Sequence, residues 1–303
     1  MLNALVWALA CFGVVAADIS LSIVLFSALD IVSALTGFPI ENLDIQWFQA
    51  VAQTASFLMA LLWWRYLWPR SFIARWQGER PLGGGLRSAW KRIACVIVIG
   101  LALQVVVGYV TDAVLSLLPD AAADYSELVE ETGMGDTSYL AVLTTVIGAP
   151  FCEELLVRGI IFEFSLRAFN PQCRPLWKRR RHTRAQDGAM VSWAAPSTWG
   201  VAAAVVLQAA IFGFMHMNWV QGCYAGAAGL IFGWVLVTTG KLRYTILLHF
   251  AFNAGSYLMG LLWFVNAPLD VAITVAIAGV ILVEAMRSLR HACGMDAASA
   301  PLP

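Results

Sequence analysis

Charge is what this sequence is short of: Asp, Glu, Lys and Arg make up 13% of its 303 residues, and 60% are hydrophobic. A soluble domain carries about a quarter of its residues as charges, so this balance excludes an ordinary water-soluble fold and indicates a chain that crosses a membrane several times. The formal net charge is zero. With no basic excess to neutralise phosphates, no nucleic-acid partner is expected. Cysteine is present but unpatterned: Cys11, Cys95, Cys152, Cys173, Cys223 and Cys293 show no metal-type pair spacing and suggest no disulfide framework. HExxH is missing as well. The first apolar run has no basic residue ahead of it, and Ala16, Ala17 and Asp18 lie inside it, so it reads as a retained helix.

What is present is apolar length. A spanning helix needs about 20 mainly apolar residues, and eight segments qualify, at about 4–29, 47–68, 93–118, 138–168, 197–217, 221–239, 243–264 and 267–286. The fold expected is therefore all-α, a polytopic bundle of about eight transmembrane helices. Basic residues fall in alternate connections. Arg65, Arg70, Arg75, Arg80, Arg87, Lys91 and Arg92 lie between the second and third segments, and 119–137 carries six acids and no base. WKRRRHTR follows the fourth segment, Lys241 and Arg243 the sixth, and Arg287 and Arg290 the eighth. Basic connections are retained in the cytoplasm, so both termini are expected there. The WKRRRHTR run reads first as a flank that stops translocation and touches anionic headgroups, with a regulatory loop as the alternative. Gly222, Gly226, Gly229 and Gly233 form small-xxx-small repeats suited to close helix packing.

Ionisable groups at membrane depth cost about 2.5–3.5 kcal/mol each and by default face the bundle interior. FCEELLVRGIIF, residues 151–162, holds three of them. Glu154 and Arg158 are spaced i,i+4, acid first, as a salt bridge on one helix face requires. Glu153 is left off that face, free to seek water, a proton or a ligand. Just upstream, Gly148, Ala149 and Pro150 predict a kink or break, tolerated at depth where it is buried or lines a wet cavity. Two histidines are also embedded in apolar segments, His216 in FGFMH and His249 in HFAFN, each sharing a helix face with a residue four positions away, Phe212 and Asn253 respectively. Either histidine alone is accounted for as a helix-to-helix hydrogen bonder. Glu, His, His and Asn together are the parts needed to activate water and stabilise an oxyanion.

The ordered motifs EExxxR, FxxxH and HxxxN, here Glu153-Glu154-Leu-Leu-Val-Arg158, Phe212-Gly-Phe-Met-His216 and His249-Phe-Ala-Phe-Asn253, resemble those of the CPBP group of intramembrane proteases, which includes the CAAX prenyl endopeptidases and the bacterial Abi proteins. The resemblance covers about 145–258. It implies a membrane-embedded glutamic endopeptidase in which Glu153, with His216, activates water while His249 and Asn253 polarise the carbonyl and hold the oxyanion. Glu154 and Arg158 would support the site, and Phe212 would pack against His216. No cofactor is implied. A zinc-dependent variant is the alternative, with Glu153, His216 and His249 as ligands, and a second alternative is a non-catalytic scaffold or immunity protein of the same fold.

The expected organisation is an N-terminal set of membrane helices over 1–135, a catalytic membrane core over 136–290 and a short tail over 291–303. The expected setting is a bacterial inner (plasma) membrane, with the lipid bilayer and a membrane-associated peptide or protein as partners. One difficulty follows from helix rise. His249 lies six residues in from Arg243, whereas His216 is near the far end of its span. At about 1.5 Å per residue the two rings meet only through a tilt, a kink or a shifted helix start.

Overall fold

A computed structural model of the chain describes residues 2–39, 45–67, 71, 82, 85–132, 136–170, 196–262 and 264–294. Among these every regular element is helical, and eight helices are long and apolar enough to cross a membrane. The spans are α1 (Leu2–Thr36), α2 (Ile45–Leu67), α3 (Gly85–Leu115), α5 (Tyr139–Phe169), α6 (Thr198–Met215), α7 (Trp219–Thr239), α8 (Leu242–Leu258) and α9 (Pro268–Ala292). A short 3-10 turn, Met259–Leu262, continues α8. The chain is an integral membrane protein. The WKRRRHTR run and Cys173 lie outside the described residues.

Several helices outlast their apolar stretch. Helix α3 begins at Gly85, not near 93, and its added turns carry Arg87, Lys91 and Arg92; α9 runs on to Ala292 through Arg287 and Arg290. Hydropathy marks the hydrocarbon layer, whereas helical hydrogen bonding continues into the polar interface beyond it. Arg92 is itself buried, donating from Nε to the Tyr244 hydroxyl at 3.1 Å and from Nη1 to the Ala292 carbonyl at 2.8 Å. It ties the starts of α3 and α8 to the end of α9.

The connection 119–137 contains a helix that apolar length could not reveal. Element α4, Pro119–Thr132, is amphipathic and acidic, and none of its residues is buried. Gln49 of α2 donates to the Thr132 carbonyl at 3.0 Å, and the hydroxyls of Tyr125 and Tyr224 lie 3.4 Å apart, joining α4 to α7. Beyond it, Asp136 accepts from the Ser138 hydroxyl at 2.7 Å and from the Ser138 N–H at 2.9 Å, which holds its carboxyl below the usual carboxylate range. The Ser138 hydroxyl in turn caps α5 by accepting from Ala141 N–H.

Three packed groups form the interior among the described residues. Residues of α1, α2, α5 and α6, with Ala225 of α7, make one cluster, including Val14, Ala60, Leu156, Val157 and Ile211; α3, α7, α8 and α9 make the second, around Ile99, Phe232, Val235 and Leu248; Phe162 and Leu166 of α5 make the third with Val201, Ala204 and Leu236. The glycines of α7 do pack. Gly222 faces Gly213 backbone to backbone, and Gly229 lies against Ala209. A three-residue turn, His216–Asn218, joins α6 to α7. Met217 takes a left-handed φ of 54° and the Asn218 side chain accepts from Gln221 N–H at 3.0 Å. At its other end α7 closes on Gly240 at φ 62°, a conformation glycine adopts without Cβ strain.

Candidate active site

Element α5 is where the backbone departs from regularity. Leu143–Gly148 and Glu154–Ile161 are π-helical, and Ala149–Glu153 between them is α-helical. Such widened turns are rare and concentrate at functional sites. The break expected at Gly148–Pro150 is thus a change of helical register. Ala149 N–H reaches back to the Thr144 carbonyl, so the Thr145 carbonyl loses its α-helical partner. Its π-helical partner would be Pro150, which has no N–H. Asn253 fills the vacancy from α8, donating from Nδ2 to that carbonyl at 2.8 Å. Asn253 is thereby held against α5.

The adjacent glutamates diverge. Every residue from Glu154 to Ile161 is buried. Oε1 of Glu154 accepts from Arg158 Nη1 at 2.9 Å, the i,i+4 pair that the spacing requires, and from His249 Nδ1 at 2.9 Å. The Arg158 guanidinium lies 4.3 Å from the centre of the Phe212 ring and 5.0 Å from that of Phe232. Those aromatic faces attract the cation where Nε and Nη2 find no acceptor among the described residues. Glu153 keeps 28% of its side-chain surface exposed, and its Oε2 lies 3.7 Å from His249 Nε2.

Hydrogen bonding decides which nitrogen each histidine presents. Nδ1 of His216 lies 2.9 Å from the Phe212 carbonyl. A carbonyl only accepts, so Nδ1 carries the proton and, in the neutral ring, Nε2 keeps its lone pair. His249 directs Nδ1 at the Glu154 carboxylate, which leaves Nε2 for Glu153 and the cavity. Phe212 packs edge-on against both rings, with centroid separations of 5.0 Å to His216 and 6.0 Å to His249. The depth difficulty is answered by this arrangement: α6 starts at Thr198, as expected, and His216 caps its end. The two rings border one cavity, with Phe212 against both.

That cavity encloses about 610 Å³, and Glu153, His216, His249 and Asn253 all line it, together with Gln53, Gln104 and Tyr224. Among the described residues no group of three His, Cys, Asp or Glu side chains is arranged to hold a metal ion. The three zinc ligands offered as an alternative, Glu153, His216 and His249, line the one cavity without forming such a group.

Residues that the motifs did not single out also contribute. Phe232 stands 5.0 Å from the His249 ring as well as over Arg158, and one phenylalanine among many in apolar helices carries no signal. A second buried pair, Glu163 with Arg167 at 2.7 Å, follows on α5. The same acid-first i,i+4 rule would have found it.

A bundle of membrane-spanning helices enclosing a polar cavity, with two glutamates, two histidines and an asparagine from three helices, defines the class: a polytopic membrane protein with a polar site inside the bundle. Residues 135–255 match the family model of the Type II CAAX prenyl endopeptidase Rce1-like proteins, and through this segment the chain is similar to that family of membrane endopeptidases. The matched segment contains all four cavity-lining residues and the Glu154–Arg158 pair. No curated protein and no solved structure matches the chain.

Proposed function

We propose that this chain is an intramembrane endopeptidase that hydrolyses a peptide bond of a membrane-associated peptide or protein with water activated by Glu153. One observation carries the reading: Glu153, His216, His249 and Asn253 line one cavity, and Glu153 is the glutamate that the Glu154–Arg158–His249 cluster leaves available.

Glu153 takes a proton from water as the water oxygen bonds to the peptide carbonyl carbon. The His216 Nε2 lone pair accepts the water's other O–H and orients it. The carbonyl π electrons move to oxygen, and that oxyanion receives hydrogen bonds from the Asn253 amide and from His249 Nε2 in its protonated form. Collapse restores the carbonyl and breaks the C–N bond. Glu153 then returns its proton to the leaving amine. Glu154 takes no part in proton transfer. It positions the His249 ring and offsets the Arg158 charge.

The test compares membrane-protein termini in cells carrying wild-type chain or Glu153→Gln. New termini present with wild type are expected to fall by a factor of about 10² to 10⁴ in formation rate in the variant, the range of general acid–base contributions. Asn253→Ala should slow the same cleavages by about 10² to 10³, as loss of an oxyanion donor does. Termini identical in wild type and Glu153→Gln would remove the protease reading.

A further inference from the structure

The cavity reaches one face of the bundle. Its lining includes Thr111 near the end of α3, Tyr125 and Val129 of α4, Gln221 at the start of α7, and Ser256 near the end of α8. By the alternation of the spans these positions share one side of the membrane, and α4 lies over that mouth. The same side is rich in acid: Asp112, Asp120, Asp124, Glu127, Glu130, Glu131 and Asp136 follow one another there without an intervening Lys or Arg. Apart from Arg158 and Arg167, both buried within α5, each of the chain's 19 Lys and Arg residues belongs, by the same alternation, to the opposite face. Basic connections stay in the cytoplasm, which puts the cavity mouth on the other side.

A second hollow joins the first. An apolar cleft of about 360 Å³ runs between α3 and α7, past Val110, Val114 and Trp219, all exposed where lipid would lie. It shares Val107, Thr111 and Tyr224 with the catalytic cavity. An apolar segment seated along this cleft delivers the chain that follows it to the cavity beside Tyr224.

We infer that the site takes its peptide from the non-cytoplasmic side, and that its substrate is a membrane-anchored protein cut beside the non-cytoplasmic end of an apolar spanning segment. This rests on the endopeptidase reading above. A prenylated tail presented from the cytoplasm would have to reach the cavity from the face that carries the basic connections.

Two readouts test it. In the full chain with Cys173, Cys223 and Cys293 replaced by serine, single cysteines are introduced as Thr111→Cys in the cavity, Ser126→Cys on exposed α4 and Arg287→Cys on the opposite face. A membrane-impermeant maleimide is expected to modify Thr111→Cys and Ser126→Cys in right-side-out vesicles and Arg287→Cys only in inside-out vesicles. Reaction of Thr111→Cys only in inside-out vesicles overturns the inference, as does its failure to react from either side while Ser126→Cys reacts. In the termini comparison, Glu153-dependent cuts should map to non-cytoplasmic segments next to a span. Cuts in cytoplasmic segments would overturn the sidedness and leave the protease reading standing. The loss of all Glu153-dependent cuts would remove that reading and the substrate class with it, while the maleimide pattern still reports which face the cavity meets.

Discussion

Glu153 and Glu154 are one peptide bond apart and chemically identical, and their surroundings give them different work. Glu154 is fully buried and shared between a guanidinium and an imidazole; Glu153 is partly exposed in a cavity. Removing one member of a buried pair strands the other, which costs about 3–5 kcal/mol, whereas replacing both by apolar residues is often neutral. Arg158→Leu is therefore expected to lower stability by about that much in detergent melting curves, and Glu154→Leu with Arg158→Leu to recover most of it. Cleavage should stay lost in the double variant, because His249 no longer has Glu154 on Nδ1. Recovery of both stability and cleavage would show that Glu154 does not position His249. At the same scale, water activation by Glu153 needs no metal, so Glu153-dependent cleavage is expected to persist after exhaustive chelation. Loss on chelation with restoration by zinc would count decisively for the metal alternative.

At the level of elements, motif spacing was legible because it depends only on helical repeat. EExxxR puts Glu154 and Arg158 on one helix face, FxxxH puts Phe212 and His216 on one, HxxxN puts His249 and Asn253 on one, and on three helices those faces turned inward. The π-helical register of α5 was not legible. Pro150 announced a disturbance, but whether the helix bends, breaks or widens depends on what donates to the freed Thr145 carbonyl, and that donor, Asn253, lies 108 residues away. Helix α4 escaped for a related reason: five acids in fourteen residues look like a solvated connection unless something holds the helix in place. The α6–α7 contact permits a sharp test. A Cβ on Gly213 would stand inside van der Waals range of the Gly222 carbonyl oxygen, whereas one on Gly279 meets nothing within 4 Å. Gly213→Ala should destabilise by about 1–3 kcal/mol, the usual penalty of overpacking, and Gly279→Ala should stabilise by up to about 1 kcal/mol through helix propensity. Equal melting temperatures for the two variants would contradict the close approach of α6 and α7.

For the whole molecule, the surface is a bilayer surface. Little of α9's apolar window is buried, and Ile277 and Val280 are 56% and 64% exposed. A lysine at the centre of such a span costs about 2.5–3.5 kcal/mol in insertion. Val280→Lys is expected to reduce the amount of membrane-integrated chain, measured by carbonate-resistant protein, while Leu258→Lys, nearer a helix end, should be milder. Similar losses from both would argue that α9 is covered by a partner rather than by lipid.

The sequence by itself determined that this is a polytopic helical membrane protein, and it determined the pairing of Glu154 with Arg158. Both follow from local chemistry: apolar length against the thickness of hydrocarbon, and a 3.6-residue repeat. Only the tertiary structure decided that Glu154 also holds His249, that Asn253 closes the gap made by Pro150, and that Phe212 and Phe232 enclose Arg158. These depend on which helices are neighbours and at what depth. His216 and His249 come together the same way, on one cavity with Phe212 edge-on to both rings.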